Sequence, residues 1–144
     1  MIHNACDLFN IIPKEDIEEV FQKSKTASAE MDYTFMGFED VYKSVKDFVP
    51  KTRVIIDLGC AYAPQSYYFK DHRSYIGVDI HIPDFHFKTS NSSFYEMSIQ
   101  DFCKKVIEKK WNLDNMFAIC SYIPDEAARK IVRETFPNCL VYFP

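Results

Sequence analysis

The stretch Val54-Ile55-Ile56-Asp57-Leu58-Gly59-Cys60-Ala61-Tyr62-Ala63-Pro64 decides the fold. Its first half is a β-branched run closed by glycine, the look of a buried strand. Its second half is built of small residues and ends on a proline, which opens a short helix from Pro64 to Lys70. A buried strand passing through a tight turn into a helix is the unit from which parallel sheets are made.

The same alternation continues outward. Ser74 to Asp79 reads as a second strand ending in an acid, and Ser93 to Met97 as a weaker third. Ile99 to Lys109 is a helix with Ile99, Phe102, Cys103, Val106 and Ile107 on one side. Met116 to Cys120 is a fourth strand, Pro124 to Phe136 a helix, and Cys139 to Phe143 a fifth strand. Upstream, Phe38, Val41, Tyr42, Val45, Phe48 and Val49 repeat at intervals of three and four, a helix that Pro50 ends. Pro13 with Lys14-Glu15-Asp16 opens another helix, whose apolar face of Ile17, Val20 and Phe21 fades near Ser24. The expectation is an α/β three-layer sandwich: a mainly parallel five-stranded sheet with N-terminal helices, forming one domain over 1–144.

Composition narrows the function. Seventeen basic and 21 acidic side chains give a net charge of −4, so no general attraction to nucleic acid or anionic membranes is expected. Lys104, Lys105, Lys109 and Lys110 read as a solvated helix face. The five cysteines (Cys6, Cys60, Cys103, Cys120, Cys139) contain no Cys-x-x-Cys, which argues against zinc or a redox pair. Cys103, Cys120 and Cys139 lie in apolar runs and read as buried thiols. With neither a leader nor an 18-residue apolar run, the chain is expected to be cytoplasmic and reduced.

Ligands of open α/β sheets bind beyond the carboxyl ends of the strands, where strand order reverses. The residues there are Asp57 to Pro64, Asp79 with His81, Ser98 to Asp101, and Ser121 to Asp125. A pyrophosphate loop needs several glycines to bring its N–H groups around two phosphates. This loop has one, and it lacks the lysine and hydroxyl of a triphosphate loop, which disfavours a dinucleotide-dependent oxidoreductase. Asp57 suits a cationic amino group. Asp79 stands about twenty residues further on, where a ribose diol would need a carboxylate. A nucleoside-bearing ligand without a pyrophosphate is implied, and S-adenosylmethionine fits that description.

At these residues the chain resembles a known family. Val54 to Ser66 resembles the first motif of class I S-adenosylmethionine-dependent methyltransferases, and Tyr75-Ile76-Gly77-Val78-Asp79-Ile80 the second. The helix before the first strand and the run Ser98-Ile99-Gln100-Asp101-Phe102 are similar in placement. The resemblance spans residues 38–143. It implies a Rossmann-like core over 36–144 with strand order 3-2-1-4-5, preceded by a helical arm or lid over 1–35. It also implies that Asp57 and Gly59 contact the methionine end of the cofactor, with Ala61 lining the loop. Asp79 would hold the ribose, Ile80 would pack on the adenine, and Ser98 and Ile99 would flank it. Ser121 and Tyr122 would face the methyl group, and Tyr122 and Asp125 are the candidate catalytic bases.

Other residues are expected to be structural. Gly77 reads as a strand glycine that permits close helix packing. His81, Asp84 and His86 lack a fourth ligand and read as surface, so no metal is expected. Cys60 reads as a loop filler, and Phe85, Phe87, Phe94 and Tyr95 as packing around the adenine pocket. The chain departs from the family in three ways. Ala61, Ala63 and Pro64 stand where another glycine is usual, which predicts a tighter loop. Ser121-Tyr122-Ile123-Pro124 is not the Asn/Asp-Pro-Pro-Tyr run of many amino-group methyltransferases. The family's final helix and antiparallel hairpin are missing after the fifth strand. The expected function is methyl transfer, with a small-molecule acceptor favoured; the alternative is a catalytically inactive methyltransferase-like binding or interaction module. An uncovered edge at Cys139 to Phe143 predicts a homodimer through that strand.

Overall fold

The computed structural model of the chain describes residues 35–84 and 86–143. The helix read over 13–24, all but the last residue of the arm read over 1–35, the side chain of Phe38, and Phe85 lie outside the described residues. Helix α1 spans Phe35–Phe48 and leads into β1, Val54–Leu58. A 3-10 helix, Pro64–Phe69, precedes β2, Ser74–Asp79, and β3, Ser92–Glu96. Helix α2, Ile99–Glu108, is followed by β4, Met116–Ser121, helix α3, Glu126–Thr135, and β5, Cys139–Tyr142.

The five strands form one sheet in the order β3-β2-β1-β4-β5, and every neighbouring pair is parallel. The central strand explains why both faces are covered. Successive side chains of a strand point to opposite faces, and Ile55, Ile56, Asp57 and Leu58 are all fully buried. On one face, Tyr42 and Val45 of α1 and Val49 just after it pack with Tyr68 and Phe69 against Ile55, Tyr75 and Ile119. On the other, Phe102, Cys103 and Val106 of α2 and Val132 of α3 pack against Ile56, Leu58, Val78, Ala118 and Cys120. The result is the three-layer α/β sandwich expected from the alternation.

Local departures have simple causes. Phe48 is 80% exposed and Ile107 55% exposed, although both fit the apolar spacing of their helices. Phe48 is the last residue of α1 and Ile107 the last but one of α2, so each stands at a helix end. The helix expected over Pro64 to Lys70 is a 3-10 helix of six residues, Pro64–Phe69, whose N-cap, Ala63, offers no side-chain cap. So short a segment cannot recover the nucleation cost of an α-helix.

Gly77 serves side chains rather than a helix. A Cβ there would lie 2.7 Å from Phe94 Cδ1 and 2.9 Å from Cys60 Sγ. The missing methyl lets the β3 ring and the loop thiol close over β2. Gly77→Ala is expected to lose about 1–3 kcal/mol through overpacking, read from urea denaturation. Adding Phe94→Leu should restore part of that loss; full stability in Gly77→Ala alone would show the contact to be loose.

Strand β5 pairs with β4, and among the described residues nothing pairs with its outer edge. No helix among the described residues is long and apolar enough to cross a membrane.

Candidate functional site

Strand order reverses at the seam between β1 and β4, since the chain leaves β1 toward β2 and returns through β4 on the other side. The crevice at that seam is where α/β sheets bind ligands. Its floor is the loop after β1. Gly59, Ala61 and Ala63 adopt φ values of +92°, +49° and +54°, three left-handed turns that wind the loop tightly. The alanines thus take conformations ordinarily left to glycine, each at about 1–2 kcal/mol. Their compensation is hydrogen bonding: Gly59 and Cys60 both donate to the Val78 carbonyl, at 2.7 and 3.1 Å, and Ala63 donates to Cys60 O at 2.8 Å.

Asp79 joins this loop from the end of β2. Its Oδ2 accepts the Ala61 N–H at 2.9 Å, while its Oδ1 receives a long 3.4 Å contact from the His81 N–H. Asp79 is half-buried, and the next residue, Ile80, is 75% exposed. The fold therefore brings together Gly59, Ala61 and Asp79, and sets an exposed aliphatic side chain beside the acid.

Asp57 lies beneath the loop instead. It is fully buried and accepts hydrogen bonds from Tyr42 Oη at 2.6 Å, Gln65 Nε2 at 2.8 Å and Tyr75 Oη. Gln65 Nε2 also donates to Cys60 O at 3.0 Å. Burial pushes the Asp57 carboxyl up to about 6, outweighing the three hydrogen bonds that favour its charge; nearby Asp79 pushes the same way. The carboxylate thus fastens α1, β2 and the 3-10 helix to the loop from below. Tyr42, Gln65 and Tyr75 carried no sequence motif. The signal for them was the burial itself, because a carboxylate inside an apolar strand must find donors.

The opposite wall is the segment after β4. Ser121 is 2% exposed, and its Oγ has no hydrogen-bond partner. Tyr122 is buried with φ +59°, a left-handed conformation that aromatic residues rarely adopt. Its N–H donates to Tyr142 O at 2.8 Å, and the two rings meet edge to face. Arg129 Nη1 donates to Ile123 O at 2.6 Å, and its guanidinium lies 4.5 Å from the centre of the Phe143 ring.

Two candidates from the sequence are helix caps. Ser98 Oγ accepts the Asp101 N–H at 3.0 Å and opens α2. Asp125 Oδ1 accepts from Ala127 and Ala128 at 3.0 and 3.3 Å and opens α3, while its Oδ2 takes the Gln100 amide at 3.1 Å. The Ala128 N–H foremost, then Gln100, holds the Asp125 carboxyl below its ordinary value, which makes it a weaker base. Ile99 is half-buried and packs against the core between the sheet and α2.

The remaining polar and aromatic groups disperse. His81 Nδ1 lies 3.7 Å from Glu96, and the His86 ring packs on Phe94. Among the described residues no three His, Cys, Asp or Glu side chains are grouped to hold a metal. Burial pushes the Cys60 thiol up, and Cys120 to about 12, so neither is poised as a nucleophile. Phe87 joins the core on the α1 face, whereas Tyr95 packs on the other face with Phe102 and Trp111. The aromatics expected around one pocket therefore divide between the two layers.

No protein-family model matches the chain, and a search of curated proteins finds no match.

Proposed function

We propose that the chain binds S-adenosylmethionine in the crevice above β1, β2 and β4, and acts as a methyltransferase on a small-molecule acceptor. The observation that carries this reading is the meeting of Asp79 with the backbone of Ala61. Residues 18 apart in sequence converge so that a carboxylate is hydrogen-bonded directly to the backbone of a glycine-turned loop. Asp79 Oδ1 keeps acceptor capacity for a ribose hydroxyl, and exposed Ile80 offers an apolar surface for a purine. The orphaned Ser121 hydroxyl also fits a polar ligand, because a buried hydroxyl without a partner is unfavourable by about 1–3 kcal/mol.

The sulfonium of such a cofactor supplies an already activated methyl group, so the protein's part is positioning. In this reading Asp79 orients the nucleoside, and the Gly59–Ala63 turn sets the loop's height. Tyr122 and Ser121 border the acceptor side. A reduced, cytoplasmic setting belongs to the same reading, supported by the free thiols of Cys60, Cys103, Cys120 and Cys139. For the outer edge of β5 we infer pairing with a second copy of the chain; a monomer in sedimentation at high concentration counts against it.

The second reading is a binding or interaction module without turnover. One observation favours it: Asp125, a candidate base, is committed to capping α3. Calorimetric titration with S-adenosylmethionine and S-adenosylhomocysteine tests both. Heat from both ligands with methyl transfer to an acceptor supports the enzyme. Binding with no transfer across a broad acceptor panel supports the module, and heat from neither ligand removes the cofactor.

A further inference from the structure

One side chain reaches across the loop that floors the crevice. A Cβ built on Gly59 would meet Ile123 Cδ1 at 2.5 Å and Cγ1 at 3.6 Å. The Ile123 methyl therefore rests directly on the bare α-carbon of the one glycine in the loop, bridging the β1 and β4 walls at the switch point. Ile123 is half-buried, and its remaining contacts join the core on the α2 face.

The segment carrying it is held by specific contacts. Tyr122 turns left-handed immediately before Ile123, and that turn aims the isoleucine back across the loop. The Tyr122 N–H is fixed to β5, and the Ile123 carbonyl to Arg129 of α3. The backbone is fixed, but the contact itself is made by the far end of a flexible side chain, which rotation between staggered rotamers can withdraw.

We propose that Ile123 is the gate of this crevice: seated on Gly59, it occupies the place that a ligand lying across the loop would take, and it must swing away to admit one. This inference rests on the cofactor reading for the identity of the ligand, an adenosyl compound, but not for the closed state itself. The apparent affinity of a protein whose competent state is a minor fraction falls by that fraction. Shortening the gate should recover it. Ile123→Ala is expected to bind S-adenosylhomocysteine about tenfold more tightly than the unaltered chain. Ile123→Leu keeps a methyl of similar reach and should stay near the unaltered affinity.

Two measurements on the full chain test this. With labelled isoleucine methyls, the ligand-free protein should show a nuclear Overhauser contact between the Ile123 δ1 methyl and the Gly59 α-protons. Absence of that contact overturns the gate whatever the crevice binds. In calorimetry with S-adenosylhomocysteine, tighter binding by Ile123→Ala with loss of the methyl contact on saturation is the expected result. Equal affinity in the two proteins overturns the gate and leaves the cofactor reading standing. Heat from neither protein, with the methyl contact present, overturns the cofactor reading and the adenosyl gate together.

Discussion

Asp57→Ala is expected to be the most destabilising single change in the described part of the chain. It removes the shared buried acceptor of Tyr42, Tyr75 and Gln65 and leaves a cavity where their hydrogen bonds converged. Losses from breaking such buried networks run to about 3–5 kcal/mol, a large share of the roughly 5–15 kcal/mol that holds a domain folded. The melting temperature should fall by about 10 °C or more, followed by circular dichroism. Tyr42→Phe removes one donor and should lose about 1 kcal/mol. A melting curve unchanged in Asp57→Ala would mean that the network contributes nothing.

The same carboxyl gives stability a pH dependence of definite sign. Its folded value is raised from 3.8 to about 6. Its contribution to stability is therefore fully present below 3.8 and is lost as pH rises through about 6, a change of about 3 kcal/mol. His72 acts oppositely. Burial holds its folded value below 6.5, so its contribution is present above 6.5 and lost as pH falls. The net curve mixes the two. Asp57→Asn cannot titrate, so the stability of the unaltered chain minus that of Asp57→Asn should rise between pH 7.5 and pH 5. Parallel curves would count against a buried titrating acid.

The largest functional effect is expected at Asp79. Two ribose hydroxyls donating to one carboxylate are charge-assisted hydrogen bonds, each of about 1.5–3 kcal/mol. Asp79→Ala should weaken S-adenosylhomocysteine binding by about 100-fold or more. Asp79→Asn keeps one acceptor and should lose about tenfold. In the ligand-free protein, Asp79→Ala gives up chiefly the Ala61 hydrogen bond, so the melting temperature should move far less than in Asp57→Ala. A 100-fold loss with near-normal melting marks a ligand contact. Unchanged affinity would remove Asp79 from the site, and the ribose with it.

How much of this was legible follows from the range of the forces. Strands announce themselves through neighbouring residues, and β2 was read with the boundaries it has, while β3 and β4 moved by one residue. The parallel sheet followed from alternation alone. Ser98 and Asp125 were equally legible as caps, because a short acceptor stands just before each helix; their strand-end positions drew them into the site instead. Asp79 meeting the β1 loop was legible because two local motifs stand at a spacing that the sheet converts into contact. The grip of Tyr42 and Tyr75 on Asp57 was not, since helix and strand had first to be docked. Ile123 on Gly59 was hidden for the same reason, as it depends on a left-handed tyrosine that no propensity would suggest.

The central seam of the sheet also sets the order in which the chain can assemble. Strand β1 meets β2 after a short connection, and β4 meets β5 across one helix, but Val54 must find Met116 with β2, β3 and α2 lying between. Each half can form early from nearby contacts, whereas joining them closes a long loop before any contact rewards it. The slow event in folding is then expected to be the docking of β4 onto β1, which also builds the crevice. Substitutions at Ile56 or Ala118, which sit side by side on that seam, would slow folding itself, while those at the outer strands would chiefly hasten unfolding.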